Sequence, residues 1–160
     1  MGKNDFRFHT TLRVRFSECD AQGIVFNGAY QNYLEVAQAE YFRNLGIVLY
    51  DESSRKFFDT ASVKITLEFI FPAKVDDLLR IYSRVDSIGN TSMTVKYELY
   101  RDGTGELVHR AEVVQVNYDA DSASARRVPD GLRTLIETYE SSGVVRPLSD
   151  FSDLRGLIVS

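Results

Sequence analysis

The stretch Glu18-Cys19-Asp20-Ala21-Gln22-Gly23-Ile24-Val25-Phe26-Asn27 places the carboxylate of Asp20 a few residues ahead of a run with helical spacing. A helix N-terminus offers unpaired backbone N–H groups and the positive end of a dipole, which suit an oxyanion or a polarised carbonyl. A carboxylate beside a polarised carbonyl can act as general base toward water, or attack directly to form a mixed anhydride that water then opens. Both routes suit an activated acyl group. Asp and Asn are also ordinary turn and capping residues of strand-to-helix connections, so residue type alone leaves both readings of Asp20 and Asn27 standing.

Other chemistries have less material. Cys19 neighbours Asp20, but a thiol nucleophile needs a positioned base, and neither histidine, His9 or His109, is adjacent in sequence. His109 falls in an alternating segment and reads as a sheet residue. The same scarcity weakens a Ser-His-Asp triad, and no Gly-x-Ser-x-Gly elbow is present. One Cys and two His make a poor metal set and allow no internal disulfide, so no metal and no bound cofactor are expected. A net charge of −4 gives no long-range pull toward a nucleic-acid backbone. No apolar run has the length of a bilayer span, and Met1 to His9 is polar and charged rather than a signal peptide, which predicts a cytoplasmic protein.

The elements that would hold such a site follow from the hydrophobic periods. Phe6, Phe8, Leu12, Val14 and Phe16 fall on alternate positions with Arg7, Arg13 and Arg15 between them, which predicts a half-buried first strand over Phe6 to Phe16. Beyond Asn27 the spacing becomes helical through Tyr30, Leu34, Ala37, Tyr41 and Leu45, with Asn27 as N-cap and Gly46 as the stop, so the helix covers about Gly28 to Leu45. Ala29, Val36, Ala39 and Phe42 widen its apolar stripe beyond what a surface helix needs. The next run alternates from Phe57 to Phe71, with Ala61, Val63, Ile65, Leu67, Phe69 and Phe71 on one face. As one strand it would reach about 50 Å, so it should bend. Leu78–Val85, Thr91–Tyr100 and Glu106–Tyr118 follow as antiparallel strands joined by turns at Ser87-Ile88-Gly89-Asn90 and Asp102-Gly103-Thr104-Gly105. Pro129 opens a short helix through Leu132, Leu135, Ile136 and Tyr139, and Ser141 to Ser160 carries no firm period.

At 160 residues with 44% hydrophobic composition, the chain suits a single α+β domain over 1–160, its core about 6–140. One long helix must bury the apolar face of an antiparallel sheet, so the sheet should curl around it. Val108, Val114 and Val116 on the other face, together with unpaired sheet edges, predict a homo-oligomer, at least a two-fold dimer.

The motif with Asp20, Gly23, Val25, Asn27 and Tyr30, followed by Tyr33, Glu35, Glu40, Tyr41, Arg43, Leu45 and Gly46, resembles the 4-hydroxybenzoyl-CoA thioesterase family and its acyl-CoA thioesterase relatives. The resemblance runs from about Arg13 to Tyr139, through Phe71-Pro72-Ala73, Asp76-Asp77-Leu78 and Arg127-Val128-Pro129. It implies a hotdog fold: a long helix wrapped by a five-stranded antiparallel sheet, with dimers joined sheet edge to sheet edge and often paired into tetramers. It further implies an acyl-CoA substrate, Asp20 as nucleophile or base, backbone N–H near Asn27 polarising the thioester carbonyl, and an acyl pocket at the dimer interface.

Glu35 matches an acidic position of the family helix near the acyl pocket, while its residue type equally suits a solvated helix face. Tyr30 and Tyr33 are possible pocket lining or core. Coenzyme A carries phosphate charges, so an acidic protein needs a local basic patch, for which Arg126 and Arg127 are the candidates. The turn with Asn90, Thr91 and Ser92 matches another family region near coenzyme A, without the basic residues that relatives carry there. An acyl-carrier-protein thioesterase or a non-catalytic acyl-CoA-binding module would share the fold. A dehydratase of this fold uses a His with an acidic helix partner, and no His lies between Thr10 and Val108.

Overall fold

The computed structural model describes residues 1–157. Strand β1 (Phe8–Arg13) leads to helix α1 (Ala29–Asn44) and a single helical turn, α2 (Glu52–Arg55). The strands β2 (Thr60–Phe69), β3 (Leu78–Ile88), β4 (Ser92–Arg101) and β5 (Leu107–Asp119) come next, then the two-residue β6 (Ser124–Ala125) and helix α3 (Asp130–Ser142). The sheet order is β1-β3-β4-β5-β2, with β6 pairing on β5. β1 runs antiparallel to β3 in a register from Phe8 opposite Ser83 to Arg13 opposite Leu78. This is the α+β element set that the periods predict.

The chain contacts gather into two compact units. The first comprises Met1–Tyr41, Thr66–Arg84 and Lys96–Glu112; the second comprises Phe42–Ile65, Val85–Val95 and the chain from Val113 onward. In the first, Phe8 meets Tyr41 edge-on at 5.6 Å, and Tyr30 stacks on His109 at 4.2 Å. In the second, Phe42 packs on Phe58 at 5.7 Å. Alternation buries Leu79, Ile81 and Val85 from β3, and Met93, Val95, Tyr97 and Leu99 from β4, where Glu98 is buried as well. The wide stripe of α1 is likewise buried through Ala29, Tyr30, Tyr33, Leu34, Ala37, Tyr41 and Phe42.

Three expectations need correction. The first strand is shorter than its alternation, because Phe16 enters a 3-10 turn, Phe16–Glu18, and stands 84% exposed. Helix α1 begins at Ala29, so Gly28 rather than Asn27 precedes its first residue. The long alternating run stops at Phe69, and its apolar face is open: Val63, Ile65, Phe69 and Phe71 are exposed. The tail is ordered through Leu157. Its 3-10 segments, Leu148–Asp150 and Ser152–Leu157, bury Leu154 and Leu157, and Phe151 between them is buried too. Asp153 accepts the Gly131 N–H at 2.8 Å, an approach so close that any Cβ on Gly131 would strike that carboxylate. Positions 158–160 of the aperiodic tail lie outside the described residues.

Candidate active site

The segment from Glu18 to Asn27 folds back on itself. Cys19 and Val25 form an antiparallel bridge, the Asp20 N–H donates to the Ile24 carbonyl at 2.9 Å, and the Gly23 N–H donates to the Asp20 carbonyl at 2.9 Å. Gly23 takes the φ of +77° that closes this turn, a region where a side chain would be strained. Asp20 Oδ1 accepts the Gln22 N–H at 2.8 Å, an Asx turn that fixes the carboxylate, while the residue remains exposed. The turn reading of Asp20 therefore holds, and it leaves the carboxylate at the surface.

Two anchors hold this loop in the first unit. On one side the Val25 N–H donates to the Ala73 carbonyl at 2.9 Å and Ile24 bridges to Lys74, so the 72–77 loop lies along the site loop. On the other, buried Glu18 accepts the Arg15 N–H at 2.7 Å and the Tyr33 hydroxyl at 2.9 Å, with the Arg15 guanidinium on its second oxygen. Burial opposes ionisation of Glu18, but the hydrogen bonds from Arg15 and Tyr33 outweigh it and hold its carboxyl below the usual range. Burial, together with Glu18, pushes the Tyr33 hydroxyl up, so Tyr33 is a neutral donor, and it is buried in the core. Burial and the Asp20 and Glu18 carboxylates raise the Cys19 thiol, which disfavours its thiolate.

Val25 and Tyr30 are buried beside this loop, and Gly23, Asn27 and Glu35 are exposed. The Ala73 backbone hydrogen-bonds the Tyr30 hydroxyl. Beneath Tyr30 lies His109, with no exposed surface and no hydrogen-bond partner for either ring nitrogen among the described residues. Burial pushes its pKa down to about 4, so it is neutral at pH 7.

The residues nominated for coenzyme A lie in the second unit, and the structure divides them. Arg126 is half-buried and its guanidinium is engaged, donating to Asn117 Oδ1 at 3.0 Å, the Lys56 carbonyl at 2.9 Å and the Arg55 carbonyl at 2.6 Å. Arg127 is exposed, donating to Asn90 Oδ1 at 2.7 Å and pairing with Asp130 at 2.8 Å. Arg127 and Asn90 are thus brought together, and Arg133 joins them by donating to the Gly89 carbonyl at 2.9 Å. Thr91 and Ser92 are half-buried, and their carbonyls accept the Asn117 and Gly89 N–H groups.

A model of the thioesterase superfamily matches residues 22–108, more than half of the chain. The chain belongs to the thioesterase superfamily. It is 27% identical over 131 residues to the acyl-CoA thioester hydrolase YbgC of Escherichia coli O157:H7, covering 81% of this chain and 95% of that protein. It is 28% identical over 109 residues to the 4-hydroxybenzoyl-CoA thioesterase of Pseudomonas sp. strain CBS-3, covering 65% and 77%. A thioesterase from Thermus thermophilus, solved with coenzyme A and zinc, superposes with a TM-score of 0.73 at 20% identity over 89% of this chain and 98% of that one. That likeness shows the hotdog fold.

The superfamily match begins at Gln22, just past Asp20, and ends at Val108, just before His109. Sequence reading also missed the Glu18–Tyr33 pair and the stacking of His109 on Tyr30. The Arg15 to Glu18 spacing of three was the one local signal for the former. A cavity of about 370 Å³ opens in the first unit, lined by Phe6, Thr66, Glu68, Lys96, Glu98 and Arg110 among others. Asp20 is not among its lining residues.

Proposed function

We propose that this chain hydrolyses an acyl-CoA thioester to the free acid and coenzyme A, with water as second substrate and no metal or redox cofactor. The observation that carries this reading is Asp20: a surface carboxylate fixed by its own Asx turn, in a loop of a thioesterase-superfamily chain that leads directly into α1. As nucleophile it attacks the thioester carbonyl, coenzyme A leaves as thiolate, and water opens the mixed anhydride; as base it takes a proton from the attacking water. The Ala29 N–H already donates to the Phe26 carbonyl at 3.0 Å, so we assign carbonyl polarisation to the backbone around Asn27 and Gly28. Val25, Tyr30 and Glu35 border the acyl group in this reading. Arg127 and Asn90 lead the contact to the nucleotide, with Thr91 and Ser92 beside them and Arg126 in support.

We further propose a homo-oligomer. β2 ends the sheet order and exposes Val63, Ile65 and Phe69, with Ile70 and Phe71 exposed just beyond it. An unpaired strand edge with such side chains favours a second copy pairing along it, as a dimer or a dimer of dimers. No helix among the described residues is long and apolar enough to cross a membrane, and we place the protein in the cytoplasm on the acyl-CoA reading.

The test is thiol release from short, long and aromatic acyl-CoA esters, with matched acyl groups on an acyl carrier protein. Asp20→Asn keeps an oxygen for the Gln22 N–H, so it should fold, yet lose about a hundredfold or more in kcat. Activity equal to the unmodified protein removes Asp20 from the chemistry. Absence of hydrolysis by either protein moves the chain to a binding role.

A further inference from the structure

Arg101, the last residue of β4, has a structural reason to be in the hairpin that joins β4 to β5: its N–H donates to the Glu106 carbonyl at 2.8 Å and its guanidinium meets the Glu106 carboxylate. That accounts for one guanidinium nitrogen. The other two leave the hairpin, Nε donating to Asp77 Oδ2 at 3.0 Å and Nη2 to the Pro72 carbonyl at 2.6 Å. Both acceptors lie in the 72–77 loop, and they stand at its two ends.

That loop has little regular structure of its own. Asp76 sits at φ +68°, a left-handed conformation uncommon among non-glycine residues, though Asp tolerates it better than most. The restraints are visible: Asp77 Oδ2 also accepts the Lys74 N–H at 2.9 Å, the Val14 carbonyl accepts the Asp76 N–H at 3.0 Å, and Arg13 donates to the Asp76 carbonyl at 2.7 Å. Between the two points gripped by Arg101 lie Ala73 and Lys74, the residues that pair with the Asp20 loop. The Ala73 carbonyl accepts the Val25 N–H, Lys74 bridges to Ile24, and the Ile24 carbonyl accepts the Asp20 N–H.

We infer that Arg101 is a positioning residue for Asp20, acting through the 72–77 loop. The inference rests on the thioesterase reading for its catalytic consequence, but not for its geometry. A guanidinium is suited to this task because its planar fork holds three acceptors in fixed directions at once, whereas an ammonium is a single point donor. Misplacement of a reacting carboxylate by a fraction of a bond length lowers turnover without changing how substrate binds elsewhere.

Two readouts on the full-length protein test this, with Arg101→Gln and Arg101→Lys. The first is amide hydrogen exchange, which needs no substrate. Arg101→Gln should speed exchange at Val25 by about tenfold or more, while the Asn117 amide, held by the Thr91 carbonyl in the other unit, stays within about twofold. The second is the split between kcat and KM on whichever acyl-CoA ester the unmodified protein hydrolyses. Arg101→Gln should lower kcat per folded molecule by about tenfold with KM within about threefold, and Arg101→Lys should recover part of the loss. Should Arg101→Gln fail to fold, Arg101→Lys carries both readouts in the same direction at smaller size. An unchanged Val25 exchange rate, or equal acceleration at Val25 and Asn117, overturns the inference, as does an unchanged kcat per folded molecule. If the unmodified protein hydrolyses nothing, the function proposed above fails, while the exchange rates still decide whether Arg101 holds the loop.

Discussion

The Asp20 loop and the Asn90–Arg127 region treat their polar side chains in opposite ways. In the first, the architecture is carried mainly by backbone pairing and by residues that remain buried, Glu18 and Tyr33. Asp20 uses one oxygen for its own turn and stays exposed. In the second, side chains are the architecture. The Asn117 amide donates to the Phe57 carbonyl at 3.2 Å and the Arg127 carbonyl at 3.0 Å, and its oxygen accepts from the Asp59 N–H and the Arg126 guanidinium. A basic residue in such a region is not a phosphate ligand by virtue of its charge; what its guanidinium already holds decides that. Arg126 holds three internal oxygens and Arg127 faces solvent.

The contrast is sharpest in the balance between stability and activity. Asp20→Asn should remove activity and leave stability within about 1 kcal/mol, since the Asx turn survives. Asn117→Ala should do the reverse. Asn117 is almost fully buried, so truncation leaves two carbonyls, an N–H group and part of a guanidinium without their partner, at a cost of roughly 3–5 kcal/mol. Urea unfolding measures that loss, and turnover per folded molecule should hardly change. A large fall in turnover by folded Asn117→Ala would break the comparison by making the second region part of the chemistry.

His109 gives the next largest effect, from the side of the Asp20 loop. It is neutral, stacked on Tyr30 and flanked by Phe69, with burial lowering its pKa from 6.5 to about 4. Above pH 6.5 both folded and unfolded chains hold it neutral, and it costs nothing. As pH falls below 6.5 the unfolded chain takes up a proton that the folded chain refuses, so stability is lost progressively until about pH 4 and then levels off. The total is about 3 kcal/mol for a group with no exposed surface. His109→Phe should flatten the fall in unfolding free energy between pH 7 and pH 4 relative to the unmodified protein. Parallel pH curves for the two proteins would mean that His109 protonates freely in the fold.

These effects also mark where the sequence was legible. Alternation located all the main strands because each of β3, β4 and β5 buries one face, and period-2 patterning is a direct record of that. It overran at Phe16 because an exposed phenylalanine is indistinguishable in sequence from a buried one. It did not mark the face holding Val63 and Ile65 as open, because alternation records which side chains share a face and not whether this chain covers it. The turn at Asp20 was legible because it is local: the Asx bond spans two residues and the closing Gly23 lies three away. Arg101 and Asn117 were not, since their partners lie up to 60 residues off and no local period encodes a long-range hydrogen bond.

The smallest effect tests the half of the second region that faces outward. The Arg127–Asp130 pair is exposed on both sides, 58% and 76%, so losing it should cost less than about 1 kcal/mol of stability. If Arg127 meets a coenzyme A phosphate, Arg127→Ala should raise KM about three- to tenfold, equivalent to about 1 kcal/mol, with kcat little changed. Salt separates this from an indirect effect. A phosphate contact at an exposed guanidinium is screened, so KM of the unmodified protein should climb between about 50 mM and 500 mM salt, and the climb should be shallower without Arg127. Asn90→Ala should give a smaller rise in KM, because it removes the oxygen that orients one guanidinium nitrogen and leaves the charge in place. Equal KM and equal salt dependence for Arg127→Ala would remove Arg127 from the phosphate contact, and the nucleotide would have to be sought at another face.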